Sequence, residues 1–245
     1  MPATPAWPPK SLPRLYVEMP LSAGAMVALD KAQANYLGNV MRLGEGDAAL
    51  LFDGMNGEWR ASVTEAGKKR MILRAEEQTS AQEQVPDVTL AFAPIKKGRI
   101  DWLVEKAVEL GVARLQPVIT DRTIVRDVKV ERMRAHIIEA AEQCGRTALA
   151  RLEAPMKLES FLAARDGSPL YFADETGGAA AGKSFTAPPA TILIGPEGGF
   201  TDAERAAIRA AEGTVAISLG PRILRAETAA LAALAAYMTE AGDWI

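Results

Sequence analysis

The stretch that decides the fold is residues 191–238, TILIGPEGGFTDAERAAIRAAEGTVAISLGPRILRAETAALAALAAYM. One pattern occurs in it twice: a short apolar run, a loop with glycine, then a helix. Thr191 to Ile194 is a strand, and Gly195-Pro196-Glu197-Gly198-Gly199-Phe200 is the loop that leaves it. Thr201 and Glu204 form a T-x-x-E capping box, which opens a helix expected to run to Glu212 with Gly213 after it. Val215 to Leu219 is the next strand, Leu219 to Arg225 its loop, and Ala226 to Met238 the last helix. Strands alternating with helices predict a mostly parallel α/β sheet. In such sheets ligands bind in loops beyond the carboxyl ends of the strands.

Upstream the same pattern continues. Val88 to Ala93, Leu115 to Ile119 and Leu170 to Ala173 read as strands, and Ile100 to Leu110 and Val130 to Cys144 as amphipathic helices. Before residue 88 the pattern changes. Arg14 to Glu18, Ala25 to Leu29, Ala48 to Phe52, Glu58 to Thr64 and Arg70 to Ala75 are short strands separated by Gly/Asp/Asn turns, with one helix over Asp30 to Met41. That is the composition of a small β-barrel. The polar run Glu77 to Pro86 is the linker candidate. The expected layout is a flexible lead-in over 1–13, a barrel over 14–78, a linker over 79–87 and an α/β domain over 88–245.

The 245 residues are 49% hydrophobic and 24% charged, ordinary for a folded soluble chain. No apolar run approaches the ~18 residues of a spanning helix, so no membrane role is expected. A single cysteine, Cys144, excludes an intrachain disulfide and suits a cytoplasmic setting. One histidine and one cysteine cannot build a Cys/His zinc site, and no metal is expected. His136 falls beside the apolar stripe of its helix and reads as structural. The net charge of −3 argues against non-specific coating of nucleic acid, but residues 88–151 are net +4 between acidic flanks. An anionic partner is expected there, with Lys68, Lys69, Arg70 and Arg74 as further candidates.

The two strand-to-helix loops carry the chemistry. Glycines let backbone groups approach a ligand closely. Glu197 would repel phosphate and suits a cationic or hydroxyl-bearing ligand. In the second loop Ile223 and Leu224 offer apolar contact, and Arg225 can reach a phosphate or carbonyl oxygen. Gly177 to Ser184, GGAAAGKS, matches the phosphate-binding G-x-x-x-x-G-K-S pattern. That pattern works only where a helix follows, and Pro188-Pro189 leave no room for one. The segment is expected to be a flexible Gly/Ala linker.

Together these motifs resemble the RsmE family of ribosomal RNA methyltransferases, of the SPOUT class. The resemblance runs from about Arg14 to the C-terminus. It rests on Lys97-Gly98-Arg99, Lys106 to Val112, Glu139 to Arg146, Leu193 to Phe200 and Leu219 to Ala229, and, in the barrel, on Arg42-Leu43, Gly46-Asp47 and Asp53-Gly54. It implies a trefoil-knotted α/β SPOUT domain behind an N-terminal PUA-like RNA-binding β-barrel. It implies methyl transfer from S-adenosylmethionine to N3 of a uridine in 16S rRNA, by a homodimer acting on the rRNA or the assembled small ribosomal subunit. The expected cofactor residues are Ile194, Gly195, Glu197, Gly198, Gly199, Leu219, Gly220, Ile223 and Leu224. The expected catalytic residues are Arg225, Glu197, Gln143 and Arg146. Lys96, Lys97, Arg99, Arg122, Arg126 and Arg132 are expected to meet RNA phosphates. Three other readings compete: an RNA-binding module without catalysis, a nucleotide hydrolase built on residues 177–184, and a SPOUT enzyme acting on another RNA atom.

Overall fold

A computed structural model describes residues 12–67 and 70–244. Most of the expected lead-in, together with Lys68 and Lys69, lies outside the described residues. The chain forms two units: residues 12–84 with Gly145–Ala148, and Val85–Cys144 with residues 149–244.

The first unit is a five-stranded sheet. Its strands are β1 (Arg14–Tyr16), β2 (Met26–Ala28), β3 (Ala48–Phe52), β4 (Glu58–Gly67) and β5 (Arg70–Ser80), in the order β1-β3-β4-β5-β2. Among the described residues of this unit only β1 and β3 pair in parallel. Alternate residues such as Leu15, Leu51, Ala61, Val63 and Leu73 meet in one core. Asp30 caps α1 (Lys31–Asn35), accepting from the Gln33 amide at 2.8 Å. The helix expected to reach Met41 instead becomes a π-helical turn over Tyr36–Val40. β5 also runs further than its apolar residues suggest. Its polar end pairs with Glu58 and Trp59, so Thr79 and Ser80 are strand and not linker. Backbone pairing held that segment where side-chain pattern gave no signal.

The second unit follows the expected alternation. β6 (Val88–Phe92), α2 (Arg99–Glu109), β7 (Arg114–Ile119) and α3 (Val130–Cys144) come first. Then come β8 (Arg151–Leu152), β9 (Met156–Lys157), α4 (Leu158–Ala163) and β10 (Leu170–Ala173). The chain ends through β11 (Ala179–Ala180), β12 (Ala190–Ile194), α5 (Asp202–Ala210), β13 (Thr214–Ser218) and α6 (Ala226–Glu240). The sheet order is β11-β13-β10-β12-β6-β7-β8, with β9 beside β7, and every pair is parallel. Strands covered on both faces need near-continuous apolar runs, which β6, β10 and β12 have. The sheet closes over Leu170, Phe172, Leu193, Phe200 and Ile208 on one face. On the other, α6 packs against α2, β6 and β12.

The segment 177–184 corrects the flexible-linker expectation. Ala179 and Ala180 pair with Ile217 and Ser218 as an edge strand, and a single 3-10 turn follows over Ala181–Lys183. Gly178 explains it: a Cβ there would stand 2.4 Å from the Ala216 carbonyl oxygen. Only glycine lets the two backbones approach so closely. No α-helix follows, as the prolines required.

Candidate functional site

β13, β10 and β12 are neighbours, and the loops leaving their carboxyl ends enclose a cavity of about 360 Å³. That is within the size range of small-molecule sites.

One wall is the first glycine loop. Ile194, Gly195, Pro196, Glu197, Gly199 and Phe200 line the cavity. The Gly199 amide donates to the Pro196 carbonyl at 2.9 Å, which folds the loop back on itself. Gly199 sits at φ +66, and a Cβ there would be 2.6 Å from Oε1 of Glu175. A Cβ on Gly195 would be 2.7 Å from the buried ring of Phe200, which packs edge-on against Phe172 at 5.4 Å. Gly195 is therefore required by the ring beside it, and Gly199 by its positive φ. The capping box is present: Thr201 N–H donates to Glu204 Oε2 at 2.8 Å, and Glu204 N–H to Thr201 Oγ1 at 3.2 Å.

A second wall is the other loop, with Leu219, Gly220, Pro221, Ile223, Leu224 and Arg225 facing the cavity. Gly220 has φ +107 and open space where a Cβ would point. Arg225 is the N-cap of α6 and gives it no side-chain capping bond, so the first-turn amides lack a side-chain acceptor there. Ala226 and Ala229 of that helix line the cavity floor. Glu227 complements the helix dipole from the first turn, buried, 3.6 Å from Arg99 Nε.

The third wall, Ala173 to Glu175 with Gly177, was not anticipated. Its key is Asp174, whose side chain is 0% exposed. It accepts from Arg205 Nη1 at 2.8 Å, Arg209 Nη2 at 2.5 Å, and the Thr176 amide and hydroxyl at 2.9 and 2.8 Å. Burial pushes its pKa up, but the bonds from Arg209 and Thr176 and the charge on Arg205 outweigh that and hold it below the usual carboxylate value. Arg205 Nη2 also holds Glu175 Oε1 at 3.0 Å. The sequence carries a signal for the position of this wall, though not for the arginines that hold it. Asp174-Glu175 follows a strand, where the strand-end rule applies as it does after Ile194, whereas Arg205 and Arg209 show only a spacing of one helical turn.

Of the residues expected from the loops, only Gly198 does not line the cavity. It is exposed, and its carbonyl accepts from Arg122 Nη1 at 2.8 Å. Gln143 is exposed near the end of α3 and does not line the cavity. Arg146 belongs to the first unit, where it is buried. Its Nε lies 3.5 Å from Glu83, and its carbonyl accepts from Arg14. It too is outside the lining of the cavity.

The basic segment divides. Arg99 faces Glu227, Arg122 the glycine loop, and Arg132 holds Asp101 through two bonds of 2.9 and 2.7 Å. That bond to Arg132 lowers the Asp101 pKa against the opposing effect of burial. Lys96, Lys97 and Arg126 are exposed and make no side-chain ion pair or hydrogen bond among the described residues. His136 projects from α3 toward α2, with Nδ1 2.9 Å from Glu105 and Nε2 3.4 Å from Asp101, and is not part of the cavity.

Comparison with known proteins agrees with this architecture. Residues 81–238 match the model of an RNA methyltransferase domain, and residues 29–76 that of an RNA methyltransferase PUA domain. The fold is thus the α/β SPOUT methyltransferase type with an N-terminal PUA-like β-barrel. Ribosomal RNA small subunit methyltransferase E of Rickettsia conorii is 32% identical over 227 residues, covering 91% of this chain and 93% of its own. Its namesake from Synechocystis is 35% identical, covering 86% and 72%. The chain belongs to the ribosomal RNA small subunit methyltransferase E family. The Neisseria gonorrhoeae enzyme of that name, solved bound to S-adenosyl methionine, superposes with a TM-score of 0.85 at 32% identity, covering 96% of this chain and all of that one. A Legionella pneumophila methyltransferase solved with bound SAM gives 0.88 at 31% identity, with the same coverage.

Proposed function

We propose that the chain methylates N3 of a uridine in 16S rRNA of the small ribosomal subunit, with S-adenosylmethionine as donor. The observation that carries the proposal is the cavity itself, whose walls suit this cofactor. Ile194, Leu219, Ile223 and Leu224 give apolar faces for an adenine, and glycine turns bring peptide groups close. Glu175 and Glu197 supply carboxylates for a cationic ligand. The structures from Neisseria and Legionella, both in complex with this compound, support the same assignment.

When bound, S-adenosylmethionine supplies an electrophilic methyl group on a sulfonium. The chain's own residues do the rest. The two loops would hold donor and base in line, and such positioning would supply much of the rate. Uridine N3 must lose its proton for attack, and the resulting charge spreads to O2 and O4. Arg225, a lining residue at the N-cap of α6, is the candidate to stabilise that charge. Glu197, exposed in the first loop, is the candidate to accept the proton. Gln143 and Arg146, outside the cavity lining, are assigned no step. Lys96, Lys97 and Arg126 supply phosphate contacts, so RNA affinity falls steeply with salt. Ile223, 93% exposed at the rim, supports a homodimer in which a second copy covers it. An rRNA substrate goes with a cytoplasmic setting, and no helix among the described residues is long and apolar enough to cross a membrane.

The test is transfer of labelled methyl to small subunits that lack the modification, followed by nucleoside digestion and mass spectrometry. The expected product is 3-methyluridine. A 2′-O-methylated nucleoside would keep the enzyme and move the target atom. No transfer to any RNA would favour an RNA-binding module.

A further inference from the structure

Arg122 sits in the basic segment, but its geometry points elsewhere: we propose that it is a positioning residue for the first glycine loop and not a phosphate contact. The inference rests on the reading of the cavity as the cofactor site.

Both parts of the side chain are engaged with the loop. Nη1 donates to the Gly198 carbonyl at 2.8 Å and to the Phe200 carbonyl at 3.3 Å. The stem lies over Gly198, where an added Cβ would be 3.4 Å from Arg122 Cβ and 3.5 Å from its Cδ. The Phe200 carbonyl also accepts from Arg205 Nη2 at 3.4 Å, so two guanidinium groups hold one oxygen. Gripping these carbonyls fixes the peptide before Gly199 and the one after Phe200. Between them lies the φ +66 turn that lines the cavity.

The segment that carries Arg122 is itself anchored. It follows β7, and its Asp121 amide donates to Glu204 Oε1 at 2.8 Å, while Oε2 of the same carboxylate takes the Thr201 amide. Thr123 is buried, and its hydroxyl accepts from the Thr120 amide at 2.9 Å. One carboxylate therefore ties the turn over residues 120–123 to the helix that the glycine loop enters. An arginine on so fixed a base is pre-organised for its two carbonyls. To contact a phosphate through Nη1 it would have to release both. Lys96, Lys97 and Arg126 have no such commitment.

The test compares Arg122→Ala, Arg122→Lys and Arg126→Ala with the wild type. S-adenosylmethionine binding is read by calorimetry, rRNA binding by its salt dependence, and loop order by amide exchange over residues 198–201 without cofactor. Thermal melts identify any variant that fails to fold. Arg122→Ala is expected to raise the cofactor Kd about tenfold, in line with charge-assisted bonds to a carbonyl, and to speed exchange in the loop. Arg122→Lys, which keeps the charge and a single donor nitrogen on a more flexible stem, should recover part of both effects. Neither should change the salt slope of RNA binding, whereas Arg126→Ala should reduce it by about 1. Unchanged cofactor affinity and loop exchange in Arg122→Ala would overturn the inference, and a reduced salt slope would return Arg122 to the RNA interface. A wild type that takes up no cofactor would overturn the cavity reading and this inference together, and it is recognised by the absence of heat before any variant is compared.

Discussion

Asp174→Ala is the perturbation that most directly tests how the cavity is held. The side chain is fully buried and is the shared acceptor for Arg205, Arg209 and Thr176. Removing one partner of a buried ion pair costs about 3–5 kcal/mol, because the other is left uncompensated. The lower end applies here. Arg209 is 49% exposed and regains water, and Arg205 keeps Glu175. The expected loss is about 3 kcal/mol, a fall in Tm of roughly 6–12 °C for a chain of this size. Asp174→Asn keeps the shape and an acceptor oxygen and should lose about half as much. The assay is urea unfolding at neutral pH with m held constant, so that a midpoint shift reports stability. Cofactor affinity should fall alongside, since Glu175 and the Phe200 carbonyl lose the support of a fixed Arg205. A loss below about 1 kcal/mol for Asp174→Ala would refute the argument that this carboxylate organises the third wall.

Four other outcomes are expected. Arg225→Ala should lower methyl transfer by about 10²–10³, the range for a lost anion-stabilising donor, while calorimetry shows cofactor affinity changed little; full turnover would remove Arg225 from the mechanism. Gly199→Val forces a β-branched residue to φ +66 and into the Glu175 carboxylate, so cofactor binding should be abolished, and unchanged binding would place the site elsewhere. Tyr237→Phe should be neutral or slightly stabilising in chemical denaturation. Its hydroxyl is buried without a hydrogen-bond partner among the described residues, and burial pushes its pKa up to about 12. A loss beyond about 1 kcal/mol would reveal a partner such as an ordered water. The acid limb of stability should also carry the mark of Asp101 and Asp174. Both have folded pKa values below the ordinary 3.8, so their stabilisation is complete above that value and lost as pH falls through the folded values. Asp174→Asn should therefore flatten the acid unfolding limb, and an unchanged limb would contradict the assigned depression.

The parallel sheet was legible because its strands are buried on both faces and must be continuously apolar, as in TILI and LYFA. The capped helix after Phe200 was legible because Thr201 and Glu204 satisfy each other's amides locally. What escaped the sequence depends on backbone partners far away in the chain. β11 exists because Gly178 can lie against Ala216, and the polar end of β5 because β4 offers a ladder. The cavity's third wall escaped for a related reason: Asp174 becomes a structural centre only once α5 brings two arginines to it. Charge counting placed the basic segment but could not tell Arg122, spent on two carbonyls, from Arg126 four residues on. Of the six cations expected to meet RNA, Arg99, Arg122 and Arg132 have partners 128, 76 and 31 positions away.

If the two glycine loops and the Asp174 wall form one cofactor site, a crystal structure of the chain grown with S-adenosylmethionine will show the compound between residues 194–200 and 218–225, with its cationic end near Glu175 or Glu197. The compound in the second cavity at the opposite strand ends, lined by Asp87, Arg114 and Arg165, would contradict it.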